Sequence, residues 1–125
     1  MTGAEGDDHA PSGAIHIGVL LARHGDVDAA CSVFRQVIDS GDPDQAPRAA
    51  LLLGQLLGRQ GDLPGARAAY LSAIEYGPPA AARAAFRLGL LLEEHGERLG
   101  AHGAYLLAME TADSEVAPRA AFHLT

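Results

Sequence analysis

A chain of 125 residues, 48% of them hydrophobic, is long enough for one domain with a modest core. A formal charge of −7 and a pI near 5.2 argue against a nucleic-acid or membrane-surface protein. A single cysteine rules out an internal disulfide, and 25 alanines without one tryptophan or lysine point to helices that pack closely and bury little area each.

Residues 1–10 carry Glu5, Asp7 and Asp8 and no apolar run, which predicts a disordered acidic leader rather than a signal peptide. No apolar run approaches the ~20 residues of a membrane span, so a cytoplasmic protein is expected. Apolar residues three and four apart predict helices over Ala14–His24 and Val27–Ser40. A turn over residues 40–44 follows, then helices over Arg48–Gln60 and Leu63–Tyr76. Pro64 falls in a first turn, where proline is tolerated. After the break at Gly77, Pro78 and Pro79 come helices over Arg83–His95 and Arg98–Thr111, a turn over Asp113–Glu115 and a short helix over Val116–Leu124.

Four ladders run through these helices in one register. Gly18, Gly54 and Gly89 are 36 and 35 residues apart. Gly25, Gly61 and Gly96 keep step with them, as do Ala30, Ala66 and Ala101, and Phe34, Tyr70 and Tyr105. The chain therefore divides into repeats over 11–46, 47–81 and 82–117, with a partial repeat or capping helix over 118–125. A glycine inside a helix costs about 1 kcal/mol relative to alanine, so the first ladder implies close helix approach, with the alanines expected across from it. The aromatic residues are expected to fill the space between one helix pair and the next. The second glycine ladder ends the first helix of each pair in a left-handed turn, and Asp26 and Asp62 are placed to cap the second.

A helix pair of about this length, with Leu and Gly in its first helix, then Ala and an aromatic four residues on, resembles the tetratricopeptide repeat. The matching residues are Leu53, Gly54, Ala66, Tyr70, Ala73 and Pro78 in the middle unit. They are Ile17, Gly18, Ala30 and Phe34 in the first, and Leu88, Gly89, Ala101, Tyr105 and Ala108 in the third. The large residue usual early in the first helix is Ala14, Ala50 or Ala85 here, and the usual tyrosine is Leu21, Leu57 or Leu92. Sel1-like repeats are the nearest alternative, but usually have a longer loop than Gly61 and Asp62. The resemblance implies an all-α, right-handed superhelix of three helix pairs plus a short C-terminal helix, whose first helices line the concave surface.

Charge falls unevenly on that frame. The first helices, taken as 11–24, 47–60, 82–95 and 118–125, hold six of the nine arginines, and Glu93 and Glu94 are their only acids. The other 14 acids lie in the leader, the turns and the second helices. A cationic groove inside an acidic molecule follows. Arg48, Arg83 and Arg119 recur in register at the starts of first helices, where a cation opposes the helix dipole. Salt bridges from Arg48 to Asp42 or Asp44, from Arg83 to Glu75 and from Arg119 to Asp113 or Glu115 are one reading. A row aimed at carboxylates of a bound peptide is the other. Beside it are expected Ile15, Val19, Arg23, Leu51, Gln55, Arg59, Phe86, Arg87, Leu90 and Phe122. The pattern of repeats that clamp a C-terminal carboxylate is met by Arg83 and Arg87 but not by Ile15, Val19 and Leu52.

The expected function is a non-catalytic protein–protein interaction module that binds an acidic, partly apolar peptide segment. The leader itself is a candidate occupant. Self-assembly through the incomplete last repeat is the alternative. No cofactor, metal, nucleic acid or membrane is expected as a partner. His24 and His95 sit where a cation favours a helix C-terminus, and Cys31 and His102 occupy like places in separate units, which spreads them along the stack and leaves a catalytic or metal role for His and Cys as the third, disfavoured reading. No nucleophile–base spacing, phosphate-cradling loop or carboxylate pair stands out.

Overall fold

In a computed structural model, the backbone is described over residues 3–111 and 116–124, with side chains over 13–111 and 117–124. Within these residues the chain is all α, with no strand. The helices are α1 (Gly3–Arg23), α2 (Val27–Asp39), α3 (Gln45–Arg59), α4 (Leu63–Ile74), α5 (Ala80–Glu94), α6 (Arg98–Thr111) and α7 (Val116–Leu124). Each packs on its neighbour in sequence, and the pairs stack into a helical repeat superhelix.

The turns explain why the pairs are alike. At the end of α1, α3 and α5, Gly25, Gly61 and Gly96 take φ of +84°, +81° and +77°. The following N–H then bonds back to Leu21, Leu57 or Leu92 at 2.9 Å, and the glycine N–H to Ala22, Gly58 or Glu93 at 3.1 Å. This double closure satisfies carbonyls that a helix end would leave bare. Asp62 then caps α4, its Oδ1 accepting from the Gly65 N–H at 2.9 Å; Asp26 precedes α2 without such a bond. His24 and His95 donate from Nδ1 to the carbonyls of Leu20 and Leu91 at 2.9 Å, which accounts for both histidines by helix termination alone.

Three local differences from expectation have physical causes. First, the backbone of α1 is helical from Gly3, where a disordered leader was expected; acidic residues near a helix N-terminus favour the helix through its dipole. Second, α3 and α5 begin at Gln45 and Ala80, three residues early. Pro47 is accommodated in the first turn of α3, and Asp42 Oδ1 accepts from the N–H groups of Asp44 and Gln45 at 2.9 Å, which starts the helix there. Arg48, Arg83 and Arg119 consequently each stand fourth in their helix, one turn from the end, where the dipole penalty has largely faded. Third, the glycine ladder faces the aromatic residue of its own unit, not the alanine. A Cβ built on Gly18, Gly54 or Gly89 would lie 2.6, 2.6 or 2.5 Å from the ring of Phe34, Tyr70 or Tyr105. Ala66 instead lies against Gly58, one turn further along α3. The aromatic rings therefore fill the inside of each pair, buried at 4% exposure or less.

The core is made of these rings, the alanines of both helices and a leucine stripe comprising Leu53, Leu56 and Leu57 in α3 and Leu88, Leu91 and Leu92 in α5. Short α7 closes the last pair through His123. Its ring stacks on Tyr105 at 5.0 Å between centroids and meets Phe86 edge-on at 5.6 Å. Its Nδ1 lies 3.2 Å from Glu93 Oε1, the atom that also accepts from the Tyr105 hydroxyl at 2.7 Å.

Candidate peptide-binding groove

First helices touch one another along the stack: α1 with α3, α3 with α5 and α5 with α7. Second helices do not, since α2 and α4, and α4 and α6, make no backbone approach among the described residues. A stack whose first helices are close and whose second helices are apart curves towards the first, so these form its inner wall.

On that wall, α3, α5 and α7 enclose a cavity of about 420 Å³ lined by Arg48, Leu51, Leu52, Gln55, Arg83, Phe86, Arg87 and Arg119. Four cations meet there and no acid does. The Arg119 guanidinium lies over the Phe86 ring, 4.9 Å from its centroid, a geometry that favours the cation without neutralising it. Arg48, Arg83 and Arg87 are exposed and have no ion pair among the described residues. The expected bridge from Arg48 to Asp42 does not form, because the Asp42 carboxylate is engaged with backbone N–H groups; Asp44 and Glu75 do not pair with their arginines either. Asp113 and Glu115 lie outside the described residues.

The cavity continues in two directions. Gln55 and Arg87 also line a depression with Arg59, Tyr70, Leu90, Leu91, Glu93 and Glu94. Phe86 and Arg119 line another with Leu90, Pro118, Phe122 and His123. Ten of the thirteen residues expected in the groove thus stand along one continuous strip. Ile15, Val19 and Arg23, on α1, do not line these three depressions. Ile15 and Val19 are half-buried against the core, and Arg23 is exposed in the last turn of α1. Leu52, Tyr70, Glu93 and Glu94 line the strip without having been assigned to it. Helical spacing leaves Leu52 ambiguous between core and groove, and Tyr70 reaches the wall from the second helix.

Burial pushes the Tyr70 hydroxyl above its ordinary value, opposed by Arg87 and Arg59. Burial likewise pushes up the Cys31 thiol, which favours its protonated form. Among the described residues no three His, Cys, Asp or Glu side chains are placed to hold a metal ion, and no helix is long and apolar enough to cross a membrane.

Comparison with known proteins agrees with this architecture. No curated protein matches the sequence. Among solved structures, the type III secretion translocator chaperone SycD of Yersinia enterocolitica superposes with a TM-score of 0.73, over 91% of this chain and 87% of its own, at 21% identity; the likeness is one of fold. The tetratricopeptide repeat matches twice, over residues 15–75 and 51–117, overlapping in the middle unit. Those matches cover most of the sequence, with the glycine and aromatic ladders inside them, and the chain belongs to the tetratricopeptide repeat family.

Proposed function

We propose that this tetratricopeptide domain is a non-catalytic protein-interaction module whose inner wall binds an acidic, partly apolar peptide segment of a partner protein. The observation that carries the reading is the cavity where Arg48, Arg83, Arg87 and Arg119 meet beside Leu51 and Phe86 with no acid among the lining residues. Guanidinium groups without an ion pair among the described residues suit carboxylates, through paired, charge-assisted hydrogen bonds, and the apolar floor adds burial. The test is recovery of partners from the native cell with wild-type protein and with Arg48, Arg83 and Arg87 all changed to Glu. Partners held by the groove are retained by the first and lost by the second, and their retention falls with rising salt. Equal recovery would remove the proposal.

A second reading is association of two copies through the C-terminal edge. It draws on Phe122, which is 77% exposed on α7, while Phe86, its counterpart one unit earlier, is 6% exposed. Sedimentation at several concentrations decides it, since a protein that stays monomeric at the highest has no such interface.

A further inference from the structure

One wall of the proposed groove is conditional. With nine residues, α7 is shorter than an isolated helix needs to be to hold in water, so it keeps its shape only while packed on α5 and α6. It brings Arg119 to a cavity that already holds Arg48, Arg83 and Arg87 and is lined by no acid. Like charges repel, so the cations of α3 and α5 work against the seating of α7.

The contacts that offset this repulsion centre on one ring. His123 stacks on Tyr105 of α6 with centroids 5.0 Å apart, meets Phe86 of α5 edge-on at 5.6 Å and holds its Nδ1 3.2 Å from Glu93 Oε1. Arg119 stands four residues back on the same face of α7, and its guanidinium covers the same Phe86 ring at 4.9 Å. Ala120 and Leu124 add apolar contact with the core. Leu52 and Arg87 hold the place of His123 in α3 and α5 and line the cavity of the four arginines, whereas His123 does not line it.

Resting on the groove reading above, we infer that His123 is a positioning residue for the acidic ligand: its ring seats α7 against the repulsion of the arginines and so sets the Arg119 guanidinium where it meets a ligand carboxylate. It acts through Phe86 and Arg119, not by touching that carboxylate. A carboxylate in the cavity relieves the same repulsion, so ligand and His123 draw α7 the same way.

The experiment is a double-mutant cycle, read by fluorescence anisotropy of the full chain with one labelled synthetic peptide of alternating Asp and Leu. Arg119→Gln and His123→Ala are each expected to weaken binding about fivefold, the upper scale of one exposed charge contact. The double variant is expected to bind no more weakly than Arg119→Gln alone, because the group that His123 positions is already gone. His123→Phe keeps a ring to stack on Tyr105 and should recover most of the affinity; circular dichroism checks that each variant is folded. A loss in His123→Ala that recurs in full in the Arg119→Gln chain is what direct contact, or a general loss of structure, would give. It would overturn the positioning role and leave the groove reading standing. So would full affinity in His123→Ala, or no recovery in His123→Phe. Binding by no chain, or binding that neither Arg119→Gln nor the change of Arg48, Arg83 and Arg87 to Glu weakens, would overturn both.

Discussion

Tyr105→Ala is expected to cost about 3–5 kcal/mol, the usual range for removing a buried aromatic ring, and so to take most of the stability of a small domain. Tyr105 is 1% exposed and joins three helices. Its ring lies against Gly89 of α5, stacks on His123 of α7 and is 5.9 Å from Phe86, and its hydroxyl donates to Glu93. Urea unfolding followed by circular dichroism measures the loss, and a cost under 1 kcal/mol would show that the third pair is not held by this ring. Tyr105→Phe keeps the ring and loses only the hydroxyl bond, about 0.5–1.5 kcal/mol. It also tests a pH effect. Burial first, and the Glu93 hydrogen bond and charge next, raise the Tyr105 pKa well above the ordinary tyrosine range, and burial raises that of Tyr70. A phenol that holds its proton more tightly when folded contributes stability that is fully present below its unfolded value of about 10 and is lost as pH rises above it. Melting temperature should therefore fall above about pH 10, and less steeply in Tyr105→Phe.

Gly89→Ala is the second large effect, and its sign is opposite to what helix propensity alone gives. Alanine in a helix interior gains about 1 kcal/mol over glycine. Here its methyl group would sit 2.5 Å from a ring that the Glu93 bond and the His123 stack hold in place, and overpacking of that kind costs about 1–3 kcal/mol. A net destabilisation of up to about 2 kcal/mol is expected, matched at Gly54, whose added methyl meets Tyr70. Gly103→Ala is the control. Nothing lies within 4 Å of a methyl there, so the same change should stabilise α6 by up to about 1 kcal/mol. If both substitutions stabilise, the ring has room to move and the ladder glycines are not there for close approach.

Periodicity made the fold readable, because residues 35 or 36 apart must occupy equal places in a stack. The bounds of α6 and α7 coincide with their reading from sequence. What a period cannot tell is which small residue opposes which large one. That depends on the angle between the paired helices, and it set Gly54 against Tyr70 and Ala66 against Gly58. The starts of α3 and α5 were placed three residues late; in α3, Pro47 fits inside the first turn, and α5 begins directly after its N-cap Pro79. For the groove, the arginine register placed Arg48, Arg83 and Arg119 on one wall without further information. Ile15, Val19 and Arg23 were expected beside them by the same register; they stand on α1, which packs on α3, and do not line the cavity of α3, α5 and α7. Arg119 over Phe86 pairs adjacent units, and nothing local in sequence announces it.

The gap between successive second helices has a mechanical consequence. Where α1, α3, α5 and α7 touch, compression meets close-packed side chains; on the opposite side, the second and third units meet where α4 packs on α5, with the exposed Arg67–Glu97 ion pair at 2.8 Å as a further contact between them. Such a pair is worth at most about 1 kcal/mol and adds little resistance, so a change of curvature would be taken up on the side where second helices stand apart rather than where first helices touch. On the proposed peptide-binding reading, ligands of different length would be fitted by a change of curvature shared among the pairs, without any one of them unfolding.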